Sequence, residues 1–320
     1  MDTKNRELLA PIILFVYNRP KHSLKTLEAL AANALASESV LYIYADGPKK
    51  SASSTDLQNI ILTREVIKKR QWCKEVFFVE GTENKGLANS IIEATTEIVN
   101  QYGKVITLED DVIVSTFFLE YMNTALTRYA SEPNVFMVAG YFFPVPSIKA
   151  QHHSFFLPLT STQAWGTWQR AWQFFDPNAT GYQDLKTDKK LKAAFNLDNS
   201  FDYTSMLIQQ MEIGNISSWA IRWWWTVFCK KGLVLYPDKS LIKNIGWDNT
   251  GTHSGGENPF EDKKWYSDYK ITKFPDKVEP CLNNFNRLKK YLLVQFQQER
   301  VTMTMRRKFW NKFLMIFSKR

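Results

Sequence analysis

Cysteine is scarce in this 320-residue chain: Cys73, Cys229 and Cys281 are widely separated and odd in number. That count excludes a disulfide framework, offers no zinc-ligand spacing and fits a reducing compartment. With 13 glycines and 12 prolines the chain cannot be collagen-like, and 14% aromatic residues exclude a disordered one. No apolar run approaches the roughly 18–20 residues of a membrane-spanning helix. The N-terminal segment MDTKNRELLA has no apolar signal core, so a cytoplasmic location is expected.

The formal charge of +9 invites a polyanionic partner, but it is unevenly spread. From Arg287 to Arg320 there are ten Lys/Arg against one acid, Glu299, while the first 286 residues hold 31 basic and 31 acidic side chains. A neutral body argues against nucleic acid. Over Met303–Phe317, a helical stripe of Met303, Trp310, Phe313, Leu314 and Phe317 leaves Arg306, Arg307, Lys308 and Lys312 mostly on the remaining surface. Such a basic amphipathic helix is expected to lie on the cytoplasmic face of an anionic membrane, packing against protein being the alternative. The expected division is a main domain over residues 1–284 and a basic amphipathic tail over 285–320.

The first 140 residues alternate two patterns. Strands are expected at Pro11–Tyr17, Val40–Ala45, Val76–Val79, Lys104–Leu108 and Val135–Ala139. Helices are expected at Leu24–Leu35, Asp56–Arg70, Leu87–Gln101 and Phe117–Tyr129. This rhythm implies an α/β fold, with a mainly parallel, Rossmann-like sheet covered by helices on both faces and ligands bound at the carboxyl ends of its strands. Residues 141–165 lack a helical pattern and read as a long connection. Seven of the 11 tryptophans then fall between Trp165 and Trp225, and short apolar segments follow at Leu233–Tyr236 and Leu241–Ile245.

Three adjacent acids, Glu109, Asp110 and Asp111, follow the fourth strand. Carboxylates so crowded need a compensating cation or proton. In extended backbone Glu109 and Asp111 share one side, suited to Mg²⁺ or Mn²⁺, while Asp110 turns to a ribose or sugar hydroxyl. The alternative is helix capping, for which Ser115 or Thr116 is better placed. Other strand ends add Tyr17, Asn18 and Arg19 before Pro20, then Asp46, then Asn84, Lys85 and Gly86 at a helix N-terminus suited to phosphate. Each alone is also ordinary turn chemistry. His22, His152 and His153 show no ligand spacing and read as structural, whereas His253 lies in a small-residue stretch, Asn249–Gly256.

Taken in order, the segments YNRP, ADGP, NKGLANS and Glu-Asp-Asp resemble a GT-A glycosyltransferase. The similarity is to family-2-like bacterial sugar transferases and to the N-acetylglucosaminyltransferases with a Glu-Asp-Asp motif. It continues through Trp165–Trp168, Ser218–Trp223, Pro237–Ile245 and Gly251-Thr252-His253. The resemblance implies transfer of a hexosyl or N-acetylhexosaminyl unit from a nucleotide sugar, a UDP-sugar being expected. The acceptor would be a hydroxyl of a surface glycan or lipid-linked sugar. It places Asn18, Arg19, Asp46 and Lys85 around the nucleotide, Asp110 on ribose or donor sugar, and Asp111 and His253 on Mn²⁺ or Mg²⁺. Gly166 would let the donor sugar approach the backbone, with Trp165 beside it.

Direct transfer also needs a carboxylate base. The segment that carries an acid in the N-acetylglucosaminyltransferases reads SWAIRW here, which leaves Asp248, Glu212 and Asp202, with Asp248 favoured. One or two of Trp165, Trp168, Trp219 and Trp247 are expected near substrate. The rival readings are a sugar-phosphate nucleotidyltransferase and an inactive carbohydrate-binding module.

Overall fold

A computed structural model of the protein describes residues 8–146, 148, 153–214, 217–248 and 265–295. Ile12–Val16 (β1), Val40–Ala45 (β2), Glu75–Glu80 (β3) and Lys104–Glu109 (β4) alternate with helices Pro20–Ala31 (α1), Ser54–Ile67 (α2) and Leu87–Tyr102 (α3). The pairings of β1 with β2, β1 with β4 and β2 with β3 are parallel. After β4 come Val112–Val114 (β5), Phe118–Arg128 (α4), Val135–Ala139 (β6), Ser154–Leu157 (β7) and Trp165–Trp168 (β8). The remaining elements are Gln169–Trp172 (α5), Lys189–Phe195 (α6), Tyr203–Ile208 (α7), Trp219–Cys229 (α8), Leu233–Pro237 (β9) and Ile242–Asn244 (β10).

Eight strands form one sheet in the order β3-β2-β1-β4-β8-β6-β9-β7, in which only β7 and β8 run antiparallel. The architecture is therefore mixed α/β with a mostly parallel sheet. Alternate residues of β1 explain why both faces are covered. Ile12, Leu14 and Val16 enter one apolar cluster with α1 and α4. Ile13 and Phe15 enter the other with α3 and α8. Because β1 connects to β2 on one side and has β4 on the other, the strand order reverses between β1 and β4, where α/β sheets open a ligand crevice.

Two segments differ from the sequence reading. Residues 141–165, read as a connection, contain β7 and lead into β8, which inserts antiparallel between β4 and β6. Four-residue, fully buried strands carry too little period-2 signal to be distinguished from a loop. Glu-Asp-Asp also does not continue as a strand: Asp110 and Asp111 form a turn into β5, which pairs with β10. The expected cap of α4 is absent, since its N-cap is Phe117 and no side chain bonds there.

The tryptophans are mostly core. Trp165 is buried and stacks on Trp219 at 4.9 Å, and Trp168, Trp172, Trp223, Trp224 and Trp225 are buried as well. Trp165 and Gly166, expected beside the donor sugar, lie in β8 in the interior and do not line the cavity described below. Gly166 does permit a close approach, but of β8 to α4 and β4. A Cβ there would lie 3.0 Å from Met122 Cε and 3.0 Å from the Val105 carbonyl oxygen.

A helix over 282–295 buries Leu288 and Leu292 in the core, so the folded body continues past residue 284. Among the described residues, no helix is long and apolar enough to cross a membrane. The readings for His152, His253 and the stretch Asn249–Gly256, and the amphipathic helix expected over Met303–Phe317, lie outside the described residues. A Gly166→Ala variant should lose about 1–3 kcal/mol of stability in urea unfolding, because backbone on one side of the new methyl cannot yield.

Candidate functional site

A cavity of about 560 Å³ opens at the carboxyl ends of β1, β2 and β4. All three acids after β4 line it, with Tyr17, Asn18 and Arg19 from the end of β1 and Asp46 from the end of β2. The turn at Asp110-Asp111 is why all three acids reach one space rather than alternating sides.

Arg19 organises the cavity. It precedes Pro20, which disfavours helical backbone at its neighbour; Arg19 accordingly has φ −123° and ψ 70° as the N-cap of α1. Its guanidinium donates to Asp111 at 3.0 Å and to Asp110 at 3.5 Å, and to the Gly246 carbonyl at 3.4 Å. Asp248 lies 3.7 Å from the same guanidinium. Gly246 is required by this contact, since a Cβ there would fall 2.1 Å from Asp111 Oδ2. The loop after β10 is thus seated directly on the acids, and Ile245 N–H donates to the Asp111 carbonyl at 2.8 Å.

One guanidinium does not offset three crowded acids. Burial first, then Asp111 and Asp110, push the Glu109 carboxyl up to about 8 despite Arg19. Burial and Asp111 push Asp110 up to about 7, against lowering contacts from Arg19 and the Tyr17 backbone N–H. Among the described residues, no group of three His, Cys, Asp or Glu could hold a metal ion by itself. The donor chemistry fits a hard cation that brings most of its ligands with it. Asp111 retains a partly exposed carboxylate toward the cavity, and the local negative charge is under-compensated.

His22, read as structural, also belongs here. Its Nε2 is 3.1 Å from Asp248 Oδ2 and 3.2 Å from the Ile245 carbonyl. Both neighbours are acceptors, so Nε2 carries the proton and donates. His22 falls on α1, one turn after Arg19, and only the folded β10 loop brings Asp248 to it.

The second wall is a clamp between loops. Asp46 accepts from the backbone N–H groups of Gly47 and Lys85 at 2.9 Å each and of Gly86 at 3.0 Å. Asn84 donates to the Gly47 carbonyl at 2.9 Å. Asp46 thus takes up the two backbone N–H groups just before α3, which begins at Leu87. The Lys85 ammonium pairs with Glu93 at 2.5 Å and does not line the cavity. Asn18 bonds Asp56 at 2.8 Å, within the capping box of α2.

Two expected bases lie elsewhere. Glu212 pairs with Lys186 at 2.5 Å, and Asp202 caps α7 through Ser205; neither lines the cavity. Of the tryptophans proposed for substrate, Trp247 lines it. Lys49, Tyr44, Ser90, Gln163, Ser217, Asn244 and Gly246 also line it and were not singled out from the sequence. Single polar residues on separate elements carry no local signal.

No family model matches the chain, and no curated protein matches it. Among solved structures, the mannosyltransferase PcManGT from Pyrobaculum calidifontis in complex with GDP-Man and Mn²⁺ is 10% identical. That match covers 70% of this chain and 77% of that one, with a TM-score of 0.37. Mouse xyloside xylosyltransferase 1 is 11% identical, covering 68% and 80%, with a TM-score of 0.36. A cytidylyltransferase from Leptospira borgpetersenii is 10% identical, covering 66% and 74%, with a TM-score of 0.32. Likenesses this distant leave the activity to be argued from the residues.

The raised carboxyl of Glu109 gives a stability prediction. The folded chain holds a proton there that the unfolded chain releases near 4.5, so stability falls as pH rises from 4.5 toward about 8. Glu109→Gln should raise the melting temperature at pH 8 and change it little at pH 4.5. An equal shift at both pH values would contradict this origin.

Proposed function

We propose that the protein is a metal-dependent GT-A glycosyltransferase that moves a sugar from a nucleoside diphosphate sugar, of which a UDP-sugar is the favoured donor, to a hydroxyl of a glycan or lipid-linked acceptor. The observation that carries this reading is the convergence of Arg19, Asp110 and Asp111 on one cavity at the strand-order reversal, with Asp248 paired to Arg19 beside it. The ordered sequence resemblance gives that convergence its chemical meaning.

Among the described residues Asp111 would hold Mn²⁺ or Mg²⁺, and the resemblance adds His253. When bound, the cation would offset charge on the departing diphosphate. Arg19 holds the Asp111 carboxylate in place and offsets part of the negative charge that would repel the donor. Asp110 faces the donor's hydroxyls. The clamp of Asp46 on Lys85 and Gly86 shapes the nucleotide side without spending Asp46 on the ligand.

Asp248 is the base. It pairs with Arg19 and His22 beside the cavity, and its side chain is 46% exposed, so an acceptor hydroxyl can reach it. The acceptor oxygen forms the new bond to the anomeric carbon as the bond to diphosphate breaks. The hydroxyl proton passes to Asp248, and the anomeric configuration inverts. In a nucleoside diphosphate release assay, Asp248→Asn should lower kcat by about 10²–10⁴-fold with little change in donor affinity. Unchanged kcat would remove Asp248 from the chemistry. Pyrophosphate release from a nucleoside triphosphate and a sugar phosphate would favour the nucleotidyltransferase reading instead.

The basic tail is read as holding the enzyme at an anionic membrane surface, close to lipid-linked acceptors. The full chain should float with anionic vesicles at low salt, and not with neutral ones. Equal recovery with both would oppose it.

A further inference from the structure

We propose that the outer edge of β3 is a dimerisation surface, on which a second copy of this chain adds its own β3 antiparallel and joins the two sheets into one. Strand β3 ends the sheet, and among the described residues no strand pairs with its outer side. Its sequence, EVFFVE, leaves Phe77, Phe78 and Val79 exposed by 44%, 40% and 43%, on both faces of the strand. The strand has no proline, its register with β2 is unbroken, and its four inner residues are uncharged. Proline, a bulge and inner charges are the devices by which proteins normally blunt a free edge, and this strand carries none of them.

The backbone fixes which groups point outward. Glu75 N–H reaches the Ser39 carbonyl at 3.5 Å, and Gly81 N–H reaches the Ala45 carbonyl at 2.8 Å. Odd-numbered residues therefore bond to β2, and Val76, Phe78 and Glu80 direct N–H and C=O away from it. A two-fold axis that sets Phe77 against Phe77 of the second copy brings these outward groups into register. Val76 then opposes Phe78, Glu75 opposes Val79, and Lys74 opposes Glu80. Opposite charges meet at both ends of the ladder, and no like charges stand opposed.

Helix α2 extends the surface. Leu57, Ile61, Arg64 and Lys68 share one helical stripe, and its last two members pair with Glu80. Arg64 also donates to the Gly81 carbonyl at 2.6 Å. Leu57 and Ile61, 44% and 58% exposed, continue this stripe beside the Phe78 face. Central aromatics with complementary charges at the two ends form a self-complementary patch, which is why the occupant is a second copy rather than a foreign strand.

Light scattering and sedimentation equilibrium of the full chain should give twice its 37.3 kDa mass. Phe78→Pro deletes an N–H that points away from β2, so it should convert the chain to a monomer with the circular dichroism of the parent. Phe78→Lys should do the same through charge, and decides the matter if the proline variant misfolds. A full chain that stays monomeric at micromolar to submillimolar concentration would overturn the proposal, as would a dimer that persists in folded Phe78→Lys.

Discussion

Three consecutive carboxyl groups at the end of a buried strand cannot all ionise in a low-dielectric crevice without positive charge nearby, and Arg19 is the cation that the fold supplies. Much else follows from that constraint. Pro20 starts α1 and fixes the backbone from which Arg19 reaches across to Asp110 and Asp111. The absence of a Cβ at Gly246 lets the β10 loop close on the same acids and carry Asp248 to Arg19 and His22. The compensation remains incomplete, as the raised carboxyls of Glu109 and Asp110 show. Residual negative charge beside a partly exposed Asp111 suits a hard cation that arrives with phosphate oxygens.

Much of the first half of the fold was legible because its strands are short apolar runs, β1 and β6 buried throughout, separated by segments of helical length. Val40–Ala45 and Val135–Ala139 match their apolar runs residue for residue. Phe155 and Trp165 lie in strands that no local pattern announces, because each strand is four residues long and depends on partners distant in sequence. Trp165 and Gly166 pack inside the sheet rather than at a strand end. A close backbone approach exists at Gly166, but it serves strand-to-helix packing in the interior.

The site divides in the same way. Asp46, Asp110, Asp111 and Arg19 stand at strand ends, where topology alone directs attention. His22 and Gly246 became visible only when chain reversal placed α1 under the β10 loop. Asp46 carries a further lesson, since its carboxylate is spent on three backbone N–H groups and acts by holding two loops together. Glu212 and Asp202 were chemically eligible but are engaged by Lys186 and Ser205 away from the cavity.

The central claim is that the acids after β4 receive a divalent cation together with a nucleoside diphosphate. Calorimetric titration of Mn²⁺ into the full chain, with and without saturating UDP, tests it most directly. The account predicts that UDP tightens Mn²⁺ binding by about 5–150-fold, with a reciprocal gain for UDP, and that Asp111→Asn removes the coupling. Equal Mn²⁺ affinity in the presence and absence of the nucleotide would contradict it.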